Sequence, residues 1–486
     1  MNPVDFQAIA PELILIVAGC VLVLADAFVP RWRGTFGALT AAAAMIAVAA
    51  RWMGPLPGAV FSDALNIDAL ARFVDSYVLL AVILVAVLAG PYLTRTGAQV
   101  GEFYALLLWA AVGAMVLGSS DHLLTVFVGL ELLSICLYVL NAFHRGSLVS
   151  LEAGFKYLVV GAFASALLLF GIALVFGATG SFLLPSAGGA LAARPVFGDP
   201  VLLAGLALIV AGASFKLAVV PFHAWAPDVY QGSPTPVTAF LSVVPKGVML
   251  VLLARVVVHL APHAATTHWV SLIAILAVLS QTLGNLVAIA QQDIKRMLAY
   301  SGIAHMGYAL VGLAAYRPGA PAGGEGLTGV LVYLAAYTVM NVAAFAVVSA
   351  FSEGEEEQHL IADLAGQGWQ RPVLAAVLAI AMFSLAGIPP TVGFIAKFMV
   401  FRAAVGQGLT WLAVIGVLNS FISAFFYLRV VFLLYMKPLP KRPPAFTDPW
   451  PTRLAAGACA FAVLAFGILP SWLVTAAETA ARVFGR

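Results

Sequence analysis

An all-α polytopic membrane protein is the fold class this sequence predicts, and three features predict it. Of 486 residues, 63% are apolar and only 9% are Asp, Glu, Lys or Arg, against roughly 25% charged residues in an ordinary soluble domain. The apolar residues fall into about fourteen runs, each near the ~20 residues that cross hydrocarbon as a helix. Short polar loops separate the runs and leave no room for a soluble catalytic domain. So few charges could not cover a water-facing surface, which excludes a soluble globular enzyme. With 24 basic and 21 acidic residues the chain is near neutral, and no nucleic-acid footprint is present.

In chain order the predicted spans are 9–29, 36–53, 73–93, 103–119, 121–141, 151–177, 201–221, 235–260, 269–290, 295–315, 327–351, 372–405, 409–436 and 452–474. Each is bounded by charge, Pro or Gly. The first carries Asp5 and Glu12 but no base ahead of it, so it reads as a retained helix and not a cleavable signal. The longest loops, 178–200, 352–371 and 437–451, read as solvated connections; the second holds the acidic run Glu353–Glu357 and the third is basic and Pro-rich. Lys and Arg favour one set of alternate loops: Arg31, Arg33, Arg95, Arg145, Lys295, Arg296, Arg371, Lys437, Lys441, Arg442 and Arg453, against eight in the other set. By the positive-inside rule both termini then lie outside the cytoplasm. Cys20, Cys136 and Cys459 form no CxxC and read as buried small hydrophobes.

Two spans contain proline where a helix should be continuous: FKLAVVPFHAWAPDVYQGSPTPVTAF (215–240) and FSLAGIPPTVGFIAKFMVF (383–401). Proline removes a donor and clashes with the preceding turn. Within hydrocarbon such a break survives only where protein or water satisfies the freed carbonyls. Each break lies two helices after a span with an interior titratable group, Glu131 and His305 respectively, and such a pairing points to an inverted-repeat transporter.

Four ionisable residues sit deep in apolar spans: Glu131, Lys216, Lys246 and Lys397. Glu131 follows Asp121 by ten residues, about 15 Å along a helix, near the middle of a ~30 Å core. An isolated charge there costs about 2.5–3.5 kcal/mol on insertion scales, so these groups are expected to pair, lose charge or face internal water. Lys156, with Glu152 at i−4, reads as a snorkelling surface lysine. A static Glu131–Lys pair would leave two lysines without an acid, and a line of such groups joined by water is a proton relay. Ser301, His305 and Tyr308 share one helix face and could extend it. Thr238 and Ser242 could order water beside Lys246, or bond back to their own helix.

Other chemistries lack support. His259, His263 and His268 gather at a span end broken by Pro262 and read as loop residues. No facing histidine pair suggests haem, and no P-loop or GxGxxG pattern suggests a nucleotide. The chain is expected to move something and to do no bond chemistry.

VVPFHAWAPDVYQGSPTPVTAFLSVVPKG (219–247), QQDIKRMLAYSGIAHMGY (291–308) and LAGIPPTVGFIAKF (385–398) resemble signatures of the antiporter-like membrane subunits of respiratory complex I, in the wording of the N subunits of NADH-quinone oxidoreductase. The resemblance spans nearly the whole chain. It implies one membrane domain over 1–486: N-terminal helices in 1–100, inverted five-helix repeats in 103–260 and 269–436 with broken seventh and twelfth helices, and a C-terminal helix at 452–474. It implies proton translocation through Glu131, Lys216, Lys246 and Lys397, with His305 added from the residues themselves. It also implies no catalytic, metal or cofactor site in this chain. NADH, FMN, iron–sulfur clusters and quinone would belong to partner subunits of the enzyme, with neighbouring antiporter-like subunits beside this one in a bacterial inner membrane. The rival readings are a cation/proton antiporter subunit of a multisubunit sodium exchanger and a spacer with no open proton path.

Overall fold

The computed structural model describes residues 3–98, 100–191, 199–260, 266–317, 324–350, 352–353, 356–357, 359–440 and 449–485. His263, residues 192–198 of the first long loop, 441–448 of the third and part of the acidic run lie outside the described residues. Thirteen helices among the described residues are long and apolar enough to cross a membrane. We label the helices that matter here α1 (Ala10–Phe28), α2 (Phe36–Met53), α3 (Ala69–Thr96), α4 (Val100–Gly118), α5 (Leu123–Asn141), α6 (Leu148–Thr179), α7 (Pro200–Leu217), α8 (Trp225–Gly232), α9 (Thr235–Leu260), α10 (Thr266–Ala290), α11 (Ile294–Ala314), α12 (Glu325–Ala350), α13 (Pro372–Ala386), α14 (Val392–Gly406), α15 (Thr410–Met436), α16 (Trp450–Ile468) and α17 (Ser471–Ala481). The span predicted at 372–405 is therefore two helices, α13 and α14. A two-stranded hairpin (Gly58–Val60 with Leu65–Ile67) and the terminal α17 were not foreseen. The loop at 178–200 is not simply solvated, because a short helix, Leu184–Leu191, buries Leu184 and Ala187.

Both breaks occur at the predicted prolines. After α7, Ala218 turns into the left-handed region at φ 56°, and after α13 Gly387 does so at 87°. Carbonyls at both breaks take side-chain donors, as an apolar setting favours. Trp225 Nε1 donates to Phe215 O at 3.0 Å, and Lys397 Nζ donates to Leu385 O at 2.9 Å and Ala386 O at 3.0 Å.

Contacts repeat along the chain at a fixed spacing. A Cβ on Gly113 would meet Leu133 N and Gly129 O at 2.5 and 2.7 Å; one on Gly284 would meet Ala304 N and Tyr300 O, both at 2.8 Å. Every member of the second set lies 171 residues after its counterpart. The start of α5 is tied by Leu123 N–H to Phe182 O (2.8 Å), and that of α11 by Ile294 N–H to His359 O (2.7 Å); Leu123 and Ile294 are again 171 apart. Small residues that let backbones touch are what membrane helices use in place of a hydrophobic drive.

Two buried charge groups escaped sequence reading. Arg51 on α2 lies 2.6 Å from Glu12 of α1 and 2.6 Å from Asp75 of α3, and donates to Ala8 O at 2.7 Å. Asp121 pairs with Arg255 of α9, accepts from Asn66 Nδ2 at 3.0 Å and lies 3.7 Å from His259. Burial alone would raise the Asp121 carboxyl, but Arg255, Asn66 and His259 outweigh it and hold the group below its ordinary range. Its contribution to stability is thus complete at neutral pH and is lost only as pH falls through that depressed value. Cys136 and Cys459 are buried as expected, whereas Cys20 is exposed on the outer face of α1.

Arg51→Ala would strand two buried carboxylates, and removing one side of such a pair costs about 3–5 kcal/mol. The expected outcome is a clear drop in the thermal midpoint of the assembled protein in detergent. Arg51→Lys should recover only part of it, because an ammonium lacks the fork that serves three acceptors.

Candidate functional site

The three predicted lysines are all inside the bundle, at 3%, 1% and 4% exposure for Lys216, Lys246 and Lys397. Each ammonium faces a tyrosine ring: Lys216 lies 5.4 Å from Tyr138 and 5.2 Å from Tyr157, Lys246 5.2 Å from Tyr230, and Lys397 4.8 Å from Tyr308. A desolvated cation on an aromatic face gains up to ~2 kcal/mol, comparable with the insertion penalty of the charge.

Lys216 sits in the last turn of α7, where the negative end of the helix dipole favours a cation. Its Nζ donates to Ser134 Oγ at 2.8 Å. Glu131, one turn earlier on α5, is only half-buried, on a face where Val128, Leu132 and Ile135 are exposed. Its Oε1 is enclosed without a hydrogen-bond partner among the described residues. Among the described residues no ion pair within 4.0 Å joins Glu131 to Lys216; the hydroxyl of Ser134 is what the ammonium holds.

From Lys216 the polar and aromatic side chains continue inward. The Tyr157 ring lies 4.9 Å from that of Trp225, which lies 6.5 Å from that of Tyr230 beneath Lys246. Lys246 stands mid-helix on α9 and its Nζ makes no hydrogen bond among the described residues. Room for it comes from Gly302, where a Cβ would lie 2.7 Å from Lys246 Nζ and 2.8 Å from Tyr337 OH. Asn341 Nδ2 donates to Tyr337 OH at 3.1 Å and to Ser242 Oγ at 2.7 Å, so Ser242 joins the polar lining while its own hydroxyl donates back to Ala239 O at 2.7 Å. Thr238 does not; the hydrogen bonds of its hydroxyl go to the backbone carbonyls of Tyr230, Ser233 and Pro234.

His305 is 1% exposed and lies between two tyrosine hydroxyls, Nδ1 2.6 Å from Tyr333 OH and Nε2 3.1 Å from Tyr427 OH. Ser301 also bonds Tyr427 OH. Tyr308, next on that face, accepts from Asn285 Nδ2 at 2.7 Å and turns its ring to Lys397. Lys397 completes the line, its Nζ bonded to Ser420 Oγ at 2.8 Å and to the two α13 carbonyls. The geometry therefore brings Lys216, Lys246, His305 and Lys397 onto one buried course, with Glu131 at its open end.

Apart from Tyr308, sequence reading missed the tyrosines and their amide partners. A signal existed: Tyr333, Tyr337 and Asn341 recur at i, i+4 and i+8, away from the span ends where tyrosine anchors are usual. Lys156 does pair with Glu152, at 2.7 Å, but also with Asp228, at 2.9 Å. Among the described residues no group of three or more His, Cys, Asp or Glu is arranged to hold a metal ion.

Residues 120–423 match the family model described as NADH:quinone oxidoreductase/Mrp antiporter, TM. The NADH-quinone oxidoreductase subunit N of Trichlorobacter lovleyi is 40% identical over 99% of this chain and 98% of its own. That of Rhodospirillum rubrum is 41% identical over 97% and 96%. A chain of respiratory complex I from Thermus thermophilus, solved with bound aureothin, superposes with a TM-score of 0.80 at 33% identity, over 96% of this chain and 98% of that one. A chain of the Mrp complex from Dietzia sp. superposes at 0.85 with 20% identity, over 100% and 98%, a likeness of fold.

Gly302→Ala would press a methyl onto the Lys246 ammonium and Tyr337, and overpacking of this kind costs about 1–3 kcal/mol. The expected result is a lower thermal midpoint of the assembled complex, together with a Lys246 side chain displaced from Tyr337 in its structure.

Proposed function

The chain belongs to the N subunits of NADH-quinone oxidoreductase, within the NADH:quinone oxidoreductase/Mrp antiporter membrane family, and from that membership we propose that its buried Lys, His and Tyr side chains, with the half-buried Glu131, carry protons through the membrane arm. It is a multi-pass, antiporter-like subunit of the bacterial inner membrane. The observation that carries the relay is the course itself: three lysines enclosed within the helix bundle, each on a tyrosine ring, with hydroxyl, amide and imidazole groups between them. A merely structural bundle has no use for three such cations, which apolar residues of similar volume would replace at no loss of stability.

In this reading Glu131 is the input. A charge change in the neighbouring subunit alters how strongly Glu131 favours the proton on Lys216. That proton passes by way of Lys246, the lysine with the fewest partners, and the His305 group to Lys397. Repeats over 103–260 and 269–436 supply the two ends of the course, with 1–100 and 452–474 packed around them. Moving one charge against the membrane potential costs about 2.3 kcal/mol per 100 mV, so the module depends on redox chemistry in partner subunits, where NADH, FMN, iron–sulfur clusters and quinone act. This chain's part in the enzyme is translocation. Sodium exchange draws on the Mrp likeness, which at 20% identity is one of fold, whereas relatives near 40% identity over almost the full length are oxidoreductase subunits.

Lys216→Ala and Lys246→Ala, measured in assembled complex reconstituted in liposomes, are expected to cut quinone-linked proton uptake severalfold while the complex still forms. Uptake at the unaltered rate in both variants, or uptake that requires sodium, overturns the relay.

A further inference from the structure

The eight-residue helix α8 touches the surroundings of both lysines that the relay places in sequence. At its start, Trp225 bonds the carbonyl next to Lys216 and stacks near Tyr157, whose ring faces that ammonium. Near its end, Tyr230 presents its ring to Lys246. Any displacement of α8 therefore moves the partners of Lys216 and Lys246 together.

Between those two residues α8 carries Asp228, which points away from the lysines and is gripped from both sides. Oδ2 accepts from Lys156 Nζ of α6 at 2.9 Å and Oδ1 accepts from Arg296 Nη1 of α11 at 2.7 Å. One turn on, Gln231 takes a second bond from Arg296, at 3.0 Å, and donates to Asp293 at 3.0 Å. The far end is seated as tightly, since a Cβ on Gly232 would stand 2.5 Å from Val149 O of α6. The helix is thus clamped between α6 and α11, which belong to different repeats.

We propose that Asp228 is a positioning residue: by tying α8 to Lys156 on one side and Arg296 on the other, it sets the placement of Trp225 and Tyr230 and so the passage of protons between Lys216 and Lys246. The inference rests on the relay reading. An exposed ion pair contributes little to stability, so the two pairs on one carboxylate matter for where they hold α8. The charge on Asp228 is required, and its longer homologue preserves it. Gly232 offers an uncharged way to disturb the same seat, because a methyl there must push α8 off α6.

The test uses the assembled complex in liposomes with Asp228→Asn, Asp228→Glu and Gly232→Ala, beside Lys246→Ala. Asp228→Asn and Gly232→Ala are each expected to lose proton uptake severalfold per assembled complex, Asp228→Glu to retain most of it, and the Tyr230–Lys246 separation of 5.2 Å to lengthen in the structures of the first two. If Asp228→Asn fails to assemble, Gly232→Ala decides alone. Unaltered uptake in Asp228→Asn and Gly232→Ala while Lys246→Ala is impaired overturns the role of Asp228 and leaves the relay standing. Unaltered uptake in Lys246→Ala overturns the relay, and this inference falls with it.

Discussion

An ammonium enclosed in a membrane bundle has to be held by something other than water, and much of this molecule's interior is organised by that need. Lys216 and Lys397 solve it alike, with a hydroxyl, a helix end and a tyrosine ring. Lys246 has the ring and a space beside Gly302. These partners are individually modest, from under 1 to ~2 kcal/mol. That is enough to offset an insertion cost of the same order without fixing the charge as a salt bridge would. A cation held this loosely suits transfer better than a locked pair, whose separation in a low-dielectric interior is expensive.

The helix breaks serve the same need. Within a continuous helix each carbonyl is already taken by the N–H four residues on, whereas the turn at Gly387 leaves Leu385 O and Ala386 O to accept from Lys397. At the other break the carbonyl of Phe215 is taken by Trp225, and Lys216 reaches sideways to Ser134. One break thus supplies ligands to a cation directly, while the other supplies an aromatic wall for it.

Much of the fold was legible because hydrocarbon imposes its own ruler: apolar run length gave the helices, and proline within a run gave both breaks. The lysines were legible for the same reason, since a charge is conspicuous where nearly every neighbour is apolar. Uncharged partners were not, because Ser134, Tyr230 or Gly302 in an apolar run is unremarkable until its facing helix is known. Arg51, Asp75 and Arg255 were passed over for a related reason. Each lies near a span end, where a charge ordinarily meets water, and only tertiary packing turns it inward.

Positions related by the 171-residue spacing carry different side chains, and the difference bears on Lys246. Counted by that spacing, Glu131 has Gly302 as its counterpart and Ser134 has His305. In the first copy the acid faces the chain's surface and the hydroxyl binds Lys216. In the second copy the acid's place is empty, and the Lys246 ammonium, from the last helix of the first copy, lies against it; the hydroxyl's place holds an imidazole that bridges two tyrosines. A glutamate at 302 would meet Lys246 head-on and fix it. With glycine there, the Lys246 ammonium has no hydrogen-bond partner among the described residues, while Glu131 stands half-buried at the surface of the chain.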